Sequence, residues 1–470
     1  MLFNSLQFLL FFPMVCIIYY AIGGTRWRNA FLLVASYFFY MSWKPVYALL
    51  ILASTIVTYL GGLSLDKCGN QKRKKLLLAT SIVINIGLLV VFKYHGMIND
   101  TVSAFLGAAG LHWQLPNLDL LLPVGISFYT FQAVGYTVDV YRGTVKAERN
   151  FVSYAVFVSF FPQLVAGPIE RASNLLPQFK EKHIFRYHDT TEGLRQMLWG
   201  YFMKLCVADV LAEYVNAVYN NPTQHNGTSM LIATVLFAFQ IYCDFGGYSN
   251  IAIGAARIMG FRLMDNFRTP YLSTNIGEFW KRWHISLSSW FKDYVYIPLG
   301  GSRTGKWRHV GNLMVTFLVS GLWHGANWTF LVWGFLHGIY QVAAVIWRRL
   351  SIKHSGKRLI NRLIGIVVCF LMVDFAWIFF RANTLNDAFC IVAKIFTALD
   401  KPYINISSLS VGCASLCLLM AKDLSDTFGW KIHALHSSNI GVRYVSFILL
   451  VCYILLFGSL NGGQFIYFQF

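Results

Sequence analysis

The stretch GLWHGANWTF, Gly321 to Phe330, places a histidine inside a run that otherwise reads as membrane-buried. A bilayer solvates a titratable ring poorly, so an ionisable residue there is a functional candidate by default. Imidazole is the only side chain with an unperturbed pKa near neutrality. His324 can therefore take a proton from a hydroxyl and return one to a leaving group. The competing account is a neutral histidine hydrogen-bonded between helices. Gly321 and Gly325 lie one helical turn apart, which permits close backbone approach, and Asn327 follows within a turn. A second histidine, His284, lies in EFWKRWHISLSSWFKDYVYIPLGG, Glu278 to Gly301. There Trp280, Trp283, Leu287, Trp290, Phe291 and Tyr294 recur at three- and four-residue steps, which predicts one amphipathic helix. Lys281, Arg282, Ser289, Lys292 and Asp293 mostly occupy its other side, and His284 falls on or beside the apolar stripe. Read by itself, this is an interfacial helix with a snorkelling histidine. His337 follows His324 in WGFLHGIY. On a continuous helix, steps of about 100° per residue place it well off the His324 face, as a packing or supporting residue. Asp244, in FQIYCDFGGYS, is a lone carboxylate at the end of an apolar run. It either bonds to tyrosine or backbone groups or orients a histidine.

Other chemistries find less support. GGSRTGKW, Gly300 to Trp307, misses a P-loop because Trp307 stands where Ser or Thr must follow the lysine, and no soluble strand-helix context surrounds it. No G-x-S-x-G elbow and no zinc-spaced His/Cys cluster occur, so no metal is expected. The nine cysteines form no C-x-x-C pair; Cys413 and Cys417, four apart in an apolar run, read as packing.

The elements that must position these residues are membrane helices. Of 470 residues, 56% are hydrophobic and 13% charged, about half the charge of a soluble domain. Residues 1–22 lack a basic leading region and a small-residue cleavage site, so the first apolar run reads as a retained helix. A span needs roughly 20 apolar residues. Candidate runs are Leu6–Ile22, Asn29–Trp43, Val46–Leu63, Leu76–Phe92, Leu120–Val140, Gly193–Val215, Met230–Phe245, Val310–Trp323, Trp328–Ile346, Leu359–Phe380, Leu409–Ala421 and Val445–Leu460. Several are short enough to be tilted, broken or re-entrant. Two polar-rich segments interrupt the rhythm. One runs over residues 161–190, with three prolines and Gly167 by Lys182; the other covers residues 261–308. Irregular backbone at membrane depth must be buried by protein or line a cavity, so both are expected to frame one. No internal repeat or soluble domain is visible, and residues 1–470 read as a single membrane domain.

The net charge of +19 does not indicate nucleic acid. Lys and Arg cluster in short loops, as orientation signals do, where anionic lipid attracts them. A basic cytoplasmic face also attracts a phosphate-rich donor such as an acyl-coenzyme A. Arg26, Arg28 and the stretch DKCGNQKRKK, Asp66 to Lys75, are expected inside. The loop at Ser42 to Pro45 and GMINDTVSAFLGAAGLHWQLPN, which has no Lys or Arg, are expected outside. The N-terminus then lies outside, and Tyr141–Asn150 and Arg348–Arg358 fall inside. The expected location is a cell membrane, inner or cytoplasmic, crossed many times.

Taken together, LLPVGISFYTFQAVGYTVDVYRG (Leu121–Gly143), FFPQLVAGPIERASNLLPQF (Phe160–Phe179), FQIYCDFGGYSNIAIGAARIMGF (Phe239–Phe261), NFRTPYLSTNIGEFWKRWHISLSSWFKDYVYIPLGG (Asn266–Gly301), GLWHGANWTFLVWGFLHG (Gly321–Gly338) and the ending FIYFQF (Phe465–Phe470) resemble the membrane-bound O-acyltransferase family. The likeness runs along the whole chain and is most specific at the two histidine motifs. It is strongest to the bacterial branch of alginate O-acetylation and teichoic acid D-alanylation. One departure is Gly246 in CDFGGYS, where the family favours Ser. The resemblance implies an all-α polytopic fold of about ten or more transmembrane helices around a tunnel, with re-entrant and interfacial helices. It implies His324 as principal catalytic histidine and His284 as the second, with Asn327, Asp244, Arg282 and Trp283 as candidate contacts of tunnel or donor. The implied activity carries a small acyl group, acetyl first and D-alanyl second, from a cytoplasmic thioester to an extracytoplasmic hydroxyl. The donor would be acetyl-coenzyme A or an acyl carrier protein thioester, used as substrate with no bound cofactor. Besides membrane lipid, the expected partner is an extracytoplasmic acetyltransferase or polysaccharide-modification protein. The rival reading is a transporter or flippase of an envelope glycan precursor, for which inverted repeats are expected and not seen; a scaffold role is compatible with catalysis.

Overall fold

A computed structural model describes residues 1–111, 122–165, 167–350, 358–430, 434–460 and 465–466. Most of the basic loop Arg348–Arg358, the start of the Leu120–Val140 run, the end of the polar loop before it and most of the FIYFQF ending lie outside the described residues. Among the described residues the structure is all-helical, with no strand. Seven helices among the described residues are long and apolar enough to cross a membrane: Pro45–Lys67, Gln71–Ala108, Gly227–Ile258, Trp328–Trp347, Leu359–Arg381, Ile406–Phe428 and Ile440–Phe457. Leu6–Ala21 and Phe151–Leu164 are shorter apolar helices.

The backbone groups into two compact units, Met1–Met197 with Ile251–Met264, and Leu198–Asn250 with Asp265–Phe470. In the first, Phe161–Leu164 forms a single buried turn after a break at Phe160. Pro162 is the second residue of that turn, where its missing N–H costs nothing. The following residue of note is Glu170, buried and accepting from Asn174 Nδ2 and the Met264 amide.

The second unit holds both singled-out histidines. The long helix Gly227–Ile258 runs well past Phe245, where the apolar run ends. The extension survives its polar and glycine content because it is packed, not lipid-exposed. A Cβ on Gly247 would lie 2.8 Å from the Gly200 carbonyl oxygen, so only glycine lets the two backbones meet there. The helices Lys306–His324 and Trp328–Leu350 form an antiparallel hairpin closed by a similar seam. A Cβ on Gly321 would stand 2.3 Å from the Phe330 carbonyl oxygen, and one on Gly334 2.4 Å from that of Phe317. In a bilayer, such close backbone packing replaces the hydrophobic drive that lipid removes.

Candidate functional site

His324 is the last residue of its helix. Gly325 is extended, and a Cβ there would fall 2.0 Å from the Phe330 ring, so a larger residue would have to displace that ring. Asn327 then caps the next helix, its Oδ1 accepting from the Thr329 amide at 3.1 Å while its Nδ2 donates to the Asn383 carbonyl at 2.9 Å. The His324 ring is buried. Its walls are Trp323 and Trp333, each with centroid 4.9 Å away, and Phe380 at 5.3 Å. It therefore faces protein and not lipid. Phe380 packs against Phe330 at 4.9 Å. Phe330, Ala326 and Asn327 in turn line a cavity of about 510 Å³ with Asn216, Asn220, Arg381, Ala382 and Asn383.

His284 does not lie on a continuous amphipathic helix. The helix Ile276–Arg282 stops, and a second, Ile285–Phe291, starts after it. Between them His284 takes φ 42° and ψ 56°, the left-handed region, which costs a non-glycine residue roughly 1–2 kcal/mol. Asn266 holds the break: its carbonyl accepts from the Ile285 amide at 2.9 Å, its Oδ1 from Ser286 Oγ at 2.6 Å, and its Nδ2 donates to Ser249 Oγ at 3.1 Å. The kink turns the imidazole into the protein, only 1% exposed, not snorkelling to an interface. Phe245 meets it edge-on at 4.5 Å, and Trp323 lies 5.9 Å away. Burial pushes its pKa down to about 3, so the ring is neutral at physiological pH. Trp323 thus touches both histidines, which lie in one aromatic cluster.

The helix break after His324 also removes the condition under which His337 pointed elsewhere. The hairpin folds it back, and its ring stands 4.8 Å from Trp333, the same tryptophan that walls His324. Trp280 Nε1 donates to His337 Nδ1 at 3.3 Å, which assigns the proton of the neutral ring to Nε2. Trp283 is buried against Phe267, Phe279 and Trp377, with centroids 5.0–5.5 Å away. Arg282 turns from the histidines, donating to Glu278 at 2.6 Å and Thr269 Oγ1 at 3.1 Å.

Of the expected partners of Asp244, a backbone group is met and, among the described residues, neither a tyrosine nor a histidine holds it. Lys204 Nζ pairs with it at 2.6 Å and with Asp209 at 2.7 Å, all three side chains being buried, and the Ile466 amide donates to Asp244 at 2.7 Å. The sequence reading singled out neither Lys204 nor Asp209. Their signal was available, since both are charges inside the apolar run Gly193–Val215. Arg381, at the end of another such run, was missed in the same way. A second cavity, about 280 Å³, is lined by Tyr242, Phe267, Arg268, Thr269, Lys422, Asp423 and Asp426 among others. Phe267 lies 6.4 Å from the His284 ring. Among the described residues no three His, Cys, Asp or Glu are grouped as a metal ion requires.

Two buried imidazoles in one aromatic cluster suit proton transfer at a hydroxyl and polarisation of a carbonyl. The model of the MBOAT, membrane-bound O-acyltransferase, family matches residues 5–383. The chain is 37% identical over 428 residues to a probable alginate O-acetylase AlgI of Pseudomonas aeruginosa, covering 89% of this chain and 80% of that one. It is 34% identical to a peptidoglycan O-acetyltransferase of Helicobacter pylori, covering 83% and 78%. A teichoic acid D-alanyltransferase of Streptococcus thermophilus is 26% identical, with 57% of this chain and 70% of that one covered.

Proposed function

The chain belongs to the membrane-bound O-acyltransferase family, and from that premise we propose that it moves an acetyl group from a cytoplasmic thioester to a hydroxyl destined for a cell-envelope polysaccharide, directly or through a partner protein. Acetyl is favoured over D-alanyl because the relatives of higher identity are named for O-acetylation. The observation that carries the reading is the shared tryptophan wall: His284 and His324 come from different segments, yet both rings contact Trp323. In this reading His324 takes the acceptor O–H proton as its oxygen attacks the thioester carbonyl. The C–O bond forms, the C–S bond breaks, and the imidazolium returns the proton to the leaving thiolate. His284, kept neutral by burial, donates an N–H to the developing oxyanion without carrying a charge of its own.

The two cavities suggest two entries. Asn216, Asn220, Asn327 and Arg381 lie where three helices begin or end. Arg268, Lys422 and Asp426 lie toward the other end of Ile406–Phe428, where Arg362 also stacks on Phe428 at 4.5 Å. The latter end carries more Lys and Arg, the residues that mark cytoplasmic loops, and would face the cytoplasm, receiving the donor from acetyl-coenzyme A or an acyl carrier protein. The former would face the acceptor, with the N-terminus outside and the protein in the cytoplasmic membrane. The deciding assay is acetyl transfer, or thioester hydrolysis, by protein purified in detergent. Turnover that disappears in His324→Ala supports the reading. A wild-type protein that moves glycan precursor across vesicles and cleaves no thioester supports the transporter instead.

A further inference from the structure

We propose that the exposed loop GGSRTGKW with Arg308, at the end of the hairpin remote from His324, is a binding site for the headgroup of an anionic lipid. From Tyr294 to Val373 the chain carries no Asp or Glu. Within that stretch Arg303, Lys306 and Arg308 lie close together in sequence and are all exposed. Among the described residues no acidic side chain pairs with them. Their neighbour Trp307 is 89% exposed, which is costly for a large ring in water. The helix Lys306–His324 supplies the reason. Along it Trp307, Gly311, Val315 and Val319 recur every four residues and are exposed, whereas His309, Asn312, Thr316, Ser320 and His324 are buried. The helix is apolar outside and polar inside, the arrangement of one whose solvent is lipid. Trp307 is where that outer stripe ends, at the level of the bilayer interface. The three cations beside it then stand at the depth of lipid phosphates, which attract them. The loop is also held in shape before any ligand arrives. Asn312 Nδ2 donates to the Gly301 carbonyl at 3.0 Å, and the Gly301 amide to the Tyr296 carbonyl at 2.9 Å. Gly300 and Gly301 turn the chain there with φ of 111° and 58°, open to glycine at no steric cost. A loop fixed in this way loses little freedom on binding. The residue that spoils the loop for a nucleotide, Trp307, is the one that suits it to a phosphate at the edge of hydrocarbon. A soluble coenzyme or an acidic protein would use the same charges but gives no reason for an apolar ring on the lipid-facing stripe.

The test is native mass spectrometry of the full chain in detergent, titrated with phosphatidylglycerol and with phosphatidylcholine of the same acyl chains. Wild type should prefer phosphatidylglycerol. Arg303→Gln/Lys306→Gln/Arg308→Gln should lower its affinity for that lipid at least about tenfold, with phosphatidylcholine unaffected. Trp307→Ser, which keeps every charge, should weaken phosphatidylglycerol binding as well. All of these positions are exposed, so each variant should keep the wild-type melting midpoint. Lys72→Gln/Arg73→Gln/Lys75→Gln removes the same charge from another exposed basic stretch and should bind the lipid as wild type does. Equal losses from the two triple variants overturn the proposal, because net charge then accounts for the binding. Displacement of the bound lipid by an equimolar amount of coenzyme A overturns it in favour of the acyl donor's phosphates. Binding of an acyl carrier protein that the Arg303/Lys306/Arg308 variant loses, with lipid binding unchanged, overturns it in favour of a protein partner. No readout here involves acyl transfer, so this proposal and the catalytic reading fail separately.

Discussion

At the scale of single residues, the two histidines differ in what holds them. His324 sits at a helix end with aromatic walls, and its substitution by Ala should lower acetyl transfer by about 10²–10⁴, the usual worth of a general base, at unchanged membrane abundance. Transfer within threefold of wild type would remove its role. His284 carries a titration that stability can report. Its folded pKa is about 3, against about 6.5 in the unfolded chain. Above pH 6.5 neither state is charged and its contribution is complete. As pH falls from 6.5 toward 3, the unfolded chain binds a proton that the folded one refuses, and stability is lost. At pH 5 the loss is about 2 kcal/mol. His284→Asn tolerates the left-handed backbone and has no such titration. Its melting midpoint should therefore fall less than that of wild type between pH 7 and pH 5; parallel curves would contradict the burial. The sequence marked both rings as ionisable groups among apolar neighbours. It did not reveal the φ of 42° at His284, because the three- and four-residue periodicity continues unbroken through the kink.

At the scale of elements, close backbone packing sets the geometry around His324. Gly321→Ala places a methyl against the Phe330 carbonyl and should cost about 1–3 kcal/mol, read as a lower melting midpoint together with lost transfer. Gly311, on the same helix, has open space where its Cβ would be. Gly311→Ala should be neutral or slightly stabilising, since alanine is the better helix former. If both variants behave alike, the glycine seam is not what joins the hairpin. The buried Lys204–Asp209–Asp244 group makes a different prediction. Lys204→Met leaves two buried carboxylates without their cation, which costs about 3–5 kcal/mol and should reduce the folded yield. Adding Asp209→Asn and Asp244→Asn should recover most of it, whereas a lysine needed for transfer itself would leave the triple variant folded but inactive. Glycine spacing in GLWHG was readable beforehand as permission for close approach. Which carbonyl each glycine meets was not, because that depends on the partner helix.

At the scale of the whole molecule, sidedness is the property to test. With the N-terminus outside, a cysteine placed at Ser42, an exposed position, should react with a membrane-impermeant maleimide on intact cells. In a variant whose only cysteine is Cys68, labelling should require permeabilisation. The reverse pattern would place the N-terminus inside. Hydropathy and the cost of burying ionisable groups act locally, so the sequence by itself determined an all-helical membrane protein and two histidines in apolar company, and its motifs carried the family resemblance. Tertiary structure alone decided that Trp323 touches both rings, that His337 folds back to Trp333, that Lys204 neutralises Asp244, and that three asparagine oxygens surround Arg381. The reason is physical. Those partners are separated along the chain by helix breaks that reset the angular phase, and periodicity carries no information across such a break.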